Sequence, residues 1–342
     1  MEPAPLADII YPYTKRMTGI RRYSEILVSA LERTGTPVKV HRVRKFELSI
    51  GGKPAGGLLS QKLLSWFIRT SCPVVHSLSP DVITKKTNVA TIHDLIPFYH
   101  RETFMKTRRE RIGYRLMFDR LDELVLIVYT EYTRRQLGEL GIDMSKVEIC
   151  GFGIQDCFKP STGQSPYPQD GLKHVVTVGD YNPRKRYDIL YGAVNSLEGV
   201  ELYHIGPVNN WIRRYTELKA IADRGGKVHQ IGPREDQALV DYISHADLLV
   251  HATEDEGAGF TPAEAMACGT KALVNPIPVY KELYGESVSY CQLSVEGFAK
   301  GIELSLAGST DRKALLDYSK RFSADAEAAR VAAVYRKITQ SN

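Results

Sequence analysis

Residues 248–269 read Leu248-Leu249-Val250-His251-Ala252, then Thr253-Glu254-Asp255-Glu256-Gly257-Ala258-Gly259-Phe260, then Thr261-Pro262-Ala263-Glu264-Ala265-Met266-Ala267-Cys268-Gly269. The first block is a short apolar run of strand length, and the last has the apolar content and punctuation of a short helix. Thr261 reads as its N-cap, Pro262 as its first helical residue, Glu264 as the capping-box partner and Gly269 as its stop. Gly257 and Gly259 lie between, where a bare backbone can point N–H groups at a ligand. Strand, glycine-bearing loop and helix in this order form the repeating unit of a parallel sheet whose ligands bind beyond the carboxyl ends of the strands.

Outward from this stretch the same alternation recurs. Val38–Val43, Val89–Ile92, Leu124–Tyr129, Val147–Cys150, Val175–Val178, Val200–Ile205, Val228–Ile231, Lys271–Val274 and Ser287–Cys291 read as further buried strands. Arg21–Glu32, Glu131–Leu140, Tyr187–Leu197, Asn210–Ala222 and Asp236–His245 carry apolar positions at helical spacing. A length of 342 residues suits two domains. The fold class expected is α/β, with two doubly wound, Rossmann-like parallel sheets facing a cleft. The Pro- and Gly-rich run Lys159–Gly171 reads as the linker, giving an N-terminal domain at 1–165 and a second at 170–321. The terminal helix, about Ala324–Lys337 within 322–342, is expected to cross back onto the first domain.

Composition narrows the function classes. With 43% hydrophobic and 25% charged residues the chain is ordinary globular. The start holds only a brief apolar patch at Ile9 and Ile10, so the expectation is a cytoplasmic protein without leader or span. The five cysteines are widely spaced without a C-x-x-C pair and read as reduced thiols; the nine scattered histidines predict no metal site. Net charge is +5, concentrated in residues 1–160, where 25 Lys+Arg face 17 Asp+Glu. Arg101–Arg120 holds seven basic and three acidic residues. On a helix this run is either a face for an anionic acceptor or an anionic membrane, or a solvated surface. No pattern interleaves aromatics with the basic residues, which argues against nucleic acid.

Two further loops ask for an anion. After Val175–Gly179 comes Asn182-Pro183-Arg184-Lys185-Arg186, with Asn182 as N-cap and Pro183 opening a helix. Three cations at the positive end of a helix are mismatched by some tenths of a kcal/mol each, and a bound diphosphate repairs this; a solvated basic turn is the plain alternative. Thr18-Gly19-Ile20-Arg21-Arg22 opens the first long helix, with Gly19 where a backbone can approach a ligand closely.

These segments together resemble one family. Glu256-x7-Glu264 followed by Ala265-Met266-Ala267-Cys268-Gly269-Thr270 is similar to the signature of the retaining GT-B glycosyltransferases of family four. Thr18–Tyr23 resembles that family's first loop and helix, Thr91-Ile92-His93-Asp94-Leu95 its I-H-D-L segment, and Tyr129-Thr130-Glu131-Tyr132-Thr133 its V-S-E-F-S segment. Pro183-Arg184-Lys185 is similar to its phosphate turn and Ala246-Asp247 to the A-D before its last donor-binding strand. In order and spacing the likeness runs over roughly residues 17–295.

The resemblance implies a metal-independent enzyme that moves a sugar from a nucleotide diphosphate to a saccharide, lipid-linked or protein glycan acceptor, with no cofactor. Lys185, with Arg184, would neutralise the departing diphosphate, and Glu264 would accept from the ribose hydroxyls. Glu256 and the backbone of Gly257, Ala258, Gly259, Phe260 and Thr261 would hold the transferred sugar. His93 would face the donor sugar from the first domain, Gly19 would admit the phosphate, and the turn Gly232-Pro233-Arg234 would seat the base. Glu256, Lys185 and His93 are the expected catalytic set. The chain departs from the family pattern at Asp180, an acid beside the phosphate turn that should point away, and at Gly257-Ala258-Gly259-Phe260-Thr261, which replaces G-F-G-L-P. A sugar-nucleotide epimerase or hydrolase on the same fold, or an inactive sugar-nucleotide-binding protein, are the competing readings.

Overall fold

The computed structural model describes residues 4–13, 18–44, 48–50, 53–55, 67–105, 107–208 and 211–341. It divides into two units, residues 1–153 with 322–342, and residues 154–321. Each is built on its own six-stranded parallel sheet.

In the first unit, β1 (Ala7–Tyr13), β2 (Val38–Arg44), β5 (Val74–Ser77), β6 (Val89–Thr91), β7 (Val125–Val128) and β8 (Val147–Ile149) run in the order β2-β1-β5-β6-β7-β8. A separate hairpin pairs β3 (Leu48–Ile50) with β4 (Lys53–Ala55). β1 is a strand that periodicity conceals, because it carries Asp8 inside the core. That carboxylate is fully buried and accepts from the amides of Ser71 and Cys72, both at 2.7 Å, and from His41 Nε2 at 2.6 Å. Burial raises its pKa, but these bonds outweigh that and leave it below the usual range.

The helix Gly19–Arg33 starts at Thr18, whose hydroxyl accepts from the Arg21 amide, and buries Tyr23, Leu27 and Leu31. The helix Glu131–Glu139 is capped in the same manner by Thr130. The basic run 101–120 is not one helical face: it breaks into Arg101–Phe104 and Arg108–Phe118, and Lys106 lies outside the described residues.

The terminal helix Ala324–Ser341 belongs to the first unit. Its Tyr335 hydroxyl bonds His76 Nδ1 at 2.6 Å, and its Glu327 carboxylate accepts from the Gly153 amide at 2.7 Å. Glu327 is fully buried, and burial pushes its carboxyl up to about 8. Phe152 and Phe322 stack at 5.0 Å where the chain leaves and rejoins this unit.

The second unit orders its strands β11-β10-β9-β12-β13-β14, with β9 (Lys173–Val178), β10 (Val200–Ile205), β11 (Val228–Gln230), β12 (Leu248–His251), β13 (Ala272–Val274) and β14 (Ser289–Tyr290). Chain order reverses between β9 and β12, which makes their carboxyl ends the switch point of the sheet. The helix Tyr187–Asn195 buries Tyr187, Leu190, Tyr191 and Val194 against the sheet and the helix Val295–Ala307. The helix read from Asn210 runs Ile212–Gly225, and Asn210 lies outside the described residues.

The unit boundary falls at Gly153, twelve residues before the expected 165. The Pro-rich segment is packed onto the second unit: Ser161 N bonds Ser244 Oγ at 3.1 Å, and the buried Tyr167 donates to the Tyr242 carbonyl at 2.7 Å. Lack of regular structure there reflects the prolines and not a free linker. The five cysteines, all among the described residues, form no disulfide with one another. Among the described residues no helix is long and apolar enough to cross a membrane.

Candidate active site

The switch point of the second sheet gathers two loops. The one after β9 turns through Gly179 into a 3-10 turn, Pro183–Lys185, before the helix Tyr187–Asn195. Asn182 caps this turn as expected, its side chain accepting from the Arg184 amide at 3.2 Å. The turn is not the start of the helix, however: Arg186 intervenes at φ 35°, a left-handed residue between turn and helix. Arg184 and Lys185 therefore hang from the turn, and only Arg186 stands at the start of the helix.

Their anion is on the neighbouring loop. Arg184 Nη1 stands 2.6 Å from Glu256 Oε1, and Lys185 Nζ stands 3.5 Å from the same oxygen. Arg184 also donates to the Asp255 carbonyl at 2.5 Å and to Thr253 Oγ1 at 3.2 Å, while its own carbonyl accepts from the Glu254 amide at 2.8 Å. Arg186 turns outward to Glu254 and Asp188. One guanidinium thus stitches the two loops together and holds Glu256 between two cations.

The electrostatics follow. Burial alone would raise the Glu256 carboxyl, but Arg184, Lys185 and the His251 ring outweigh it and keep it ionised, well below the ordinary range. His251, the last residue of β12, places Nε2 3.5 Å from Glu256 Oε1. Burial, with Lys185 adding to it, lowers this imidazole to about 4, so it stays neutral. Neither His251 nor Asn275 was signalled by the sequence. Asn275 accepts from the Thr253 amide and donates to the Thr253 carbonyl, splinting the loop from behind. A polar residue at, or just past, the carboxyl end of a strand is the signal that could have found both.

The helix after β12 starts two residues earlier than its punctuation suggests. It spans Phe260–Ala267 and is capped by Gly259 at φ 65°, ψ 62°, so the capping box of Thr261 with Glu264 is not formed. Glycine wins the cap because the chain must enter left-handed there, and because a Cβ on Gly259 would lie 2.3 Å from the Tyr280 ring. Ala258 is buried behind the loop. The amides of Phe260, Thr261 and Ala263 fall in the first turn, where helical N–H groups have no partner within the helix, and Pro262 has none to offer. Glu264 is buried one turn further on, its charge acting on the Tyr284 hydroxyl. Gly179 is also required: at φ 152° its Cβ would meet Tyr187 Oη at 2.6 Å and Lys185 Nζ at 2.8 Å. Asp180 is not remote from this turn, since burial raises the Tyr187 phenol and the Asp180 charge adds to the effect.

The remaining predicted residues stand on other segments of the chain. Arg234 is exposed beyond β11, its Nη1 donating to the Pro233 carbonyl at 3.0 Å. Gly19 opens the first helix of the first unit, with space around the position a Cβ would take. His93, past β6, bonds through both ring nitrogens, to Tyr129 Oη at 2.5 Å and to the Leu78 carbonyl at 2.7 Å. Burial lowers it to about 4 and leaves it a neutral ring.

Two parallel six-stranded sheets in these topologies define the GT-B class of fold. Sucrose-phosphate synthase from Thermosynechococcus elongatus superimposes with a TM-score of 0.80 at 16% identity, over 98% of this chain and 100% of that one. HepE from Anabaena, crystallised in complex with UDP, gives a TM-score of 0.70 at 15% identity, over 96% of this chain and 99% of that one. Residues 164–322, nearly the whole second unit, match the model of the family described as glycosyl transferases group 1. The D-inositol 3-phosphate glycosyltransferase of Mycolicibacterium smegmatis is 32% identical over 181 residues, covering 49% of this chain and 41% of that protein. The chain spans about half the length of the curated relatives it matches.

Proposed function

We propose that the protein is a glycosyltransferase taking its sugar from a nucleotide diphosphate donor bound on the second unit. The observation that carries this reading is the ionised Glu256 held between Arg184 and Lys185, beside the first turn of the helix Phe260–Ala267. UDP in the structurally similar HepE supports a nucleotide donor, and the family match over residues 164–322 supports the transferase class.

In this reading Arg184 positions Glu256 and Lys185 meets the diphosphate. Arg184 already holds three oxygens, whereas the Lys185 ammonium stands farther from Glu256 and is the cation a phosphate can recruit. Glu256, with the amides from Gly257 to Thr261, binds the transferred sugar and stabilises positive charge at its anomeric carbon. Glu264 takes the ribose hydroxyls, and the Gly232–Arg234 turn takes the base. The bond from anomeric carbon to phosphate oxygen breaks with its electron pair leaving on the diphosphate, and the acceptor hydroxyl forms the new bond. Its proton passes to the departing phosphate oxygen on the same face, so that configuration is retained and no metal takes part. Gly19 and His93 keep the roles the family resemblance gives them, and the acceptor is a saccharide or a lipid-linked or protein glycan.

The test is incubation with a panel of nucleotide sugars, following nucleotide diphosphate release with and without candidate acceptors. Release in Glu256→Gln should fall by about 100-fold, the scale for removing one electrostatic group at a reacting centre. Release equal to that of the unaltered protein removes Glu256 from the reaction. Product anomeric configuration read by NMR decides retention, and turnover undiminished by EDTA is expected. For the basic segment 101–120, sedimentation with anionic liposomes at low salt decides between a membrane-facing and a solvated surface.

A further inference from the structure

At the other end of the second sheet, where β9, β10 and β11 begin, lies a cluster the proposed transfer does not use. His174, Glu201 and His229 are each the second residue of their strand. His174 is in register with Glu201, and Tyr203 with His229, so all four side chains project from one face of the sheet. Asp170, just before β9, joins them: its Oδ1 stands 3.4 Å from His174 Nε2. The ligand atoms of Asp170, His174 and Glu201 all lie within 4.8 Å of one another.

His174 makes the cluster more than a patch of charge. The residue is 7% exposed, and its Nε2 is enclosed without a hydrogen-bond partner. Leaving a buried polar group unmatched is costly, so such a nitrogen calls for explanation. The ring is clamped, with Tyr167 stacked on it at 4.8 Å and 4° and Tyr203 meeting it edge-on at 5.7 Å. The two carboxylates are held as well. Asp170 Oδ1 accepts from the Leu172 amide at 2.9 Å, and Glu201 Oε2 accepts from Tyr203 Oη at 3.1 Å and from His229 Nε2 at 3.0 Å. Outer partners of this kind orient the ligands of a metal.

We propose that Asp170, His174 and Glu201 bind a divalent transition ion of the zinc class, with His229 orienting Glu201 and a fourth position left to water. Bonds of about 2.0–2.2 Å at the tetrahedral angle place ligand atoms about 3.3–3.6 Å apart, and the Asp170–His174 distance of 3.4 Å falls in that interval. An imidazole with two carboxylates suits zinc and its neighbours better than magnesium or calcium, which prefer oxygen alone. The scatter of histidines along the chain concealed the site because its ligands come from two strands and the residues before them. The length of β9 sets it about 16 Å from the phosphate turn, at about 3.3 Å per residue, so its role is to tie the segment entering the sheet to β9 and β10.

The experiment uses the full chain stripped with EDTA and titrated with Zn2+ against a chromophoric chelator, and in parallel with Mg2+. One Zn2+ per chain is expected, together with a rise in the melting temperature that Mg2+ does not produce. His174→Phe keeps the stack on Tyr167 and should weaken Zn2+ binding by about 100-fold or more, while His229→Ala should weaken it by about 10- to 100-fold. Asp170→Asn repeats the ligand test at an exposed position should the Phe variant fold poorly. No stoichiometric Zn2+, or unchanged affinity in His174→Phe or Asp170→Asn, overturns the site. Nucleotide binding should stay the same in all three variants, which separates this result from the fate of the proposed transfer.

Discussion

Removing Arg184 probes the centre of the proposed donor site by a route independent of substrate. In Arg184→Met the side chain keeps much of its length and loses its charge, so Glu256 forfeits the partner at 2.6 Å and retains Lys185 at 3.5 Å. Because attraction scales inversely with distance, the lost contribution is about a third larger than the one that remains. Breaking a buried ion pair from one side costs about 3–5 kcal/mol, and the surviving lysine sets the expectation at the lower end, about 3 kcal/mol. The bonds from Arg184 to Thr253 and Asp255 go too, so the loss should fall on the second unit. Urea unfolding followed by Trp211 emission in a Trp66→Phe background reports on that unit. The pH dependence has a definite sign. The folded pKa of Glu256 is depressed, so its stabilising contribution is complete above the unfolded carboxyl value near 4.3 and is lost as pH falls below that. The gap between the unaltered protein and the variant should be level from pH 5 to 8 and shrink under pH 4. A double-mutant cycle with Glu256→Gln should give a coupling of about 1.5 kcal/mol or more. A loss under about 1 kcal/mol at pH 7, or a gap that widens in acid, refutes the account of Glu256 as a charge held by its neighbours.

Lys185→Ala should weaken binding of a nucleoside diphosphate by about 1.5–3 kcal/mol, the range for a hydrogen bond to a charged partner, as read by titration calorimetry. Gly259→Ala forces a side chain onto a backbone at φ 65° and into the Tyr280 ring, and should cost more than about 1 kcal/mol in urea unfolding. Glu327→Gln tests the buried carboxyl of the first unit. Its folded pKa, about 8, lies above the unfolded value, so the native charge becomes a burden as pH rises between the two. The variant should match the parent at pH 4 and exceed it in stability at pH 9, by thermal melting at both.

Much of this could be read from the chain, and the exceptions have physical causes. Leu248–His251 is legible because both faces are buried and its first three residues form an apolar run, and Val200–Ile205 because apolar residues hold four of its six positions. Ala7–Tyr13 is hidden by Asp8, an acid whose burial is made tolerable by amides more than sixty residues away. The cap of the helix Phe260–Ala267 was misplaced because a Thr-Pro-x-Glu pattern competes locally with Gly259, and the Tyr280 ring decides between them. The union of Arg184, Lys185 and Glu256 could be inferred only as a shared need for charge balance, since strands far apart in sequence become neighbours at the switch point.

The first unit is written in two pieces, and its ending has a consequence for biosynthesis. Tyr335 and Glu327 complete the surroundings of His76 and Gly153, so a ribosome must translate the whole second unit before residues 1–153 gain the helix Ala324–Ser341. The intervening 168 residues form a continuous stretch able to close its own sheet beforehand. The half translated first is thereby the half finished last, and a premature stop at Arg321 would leave a mature second unit attached to a partner without its closing helix.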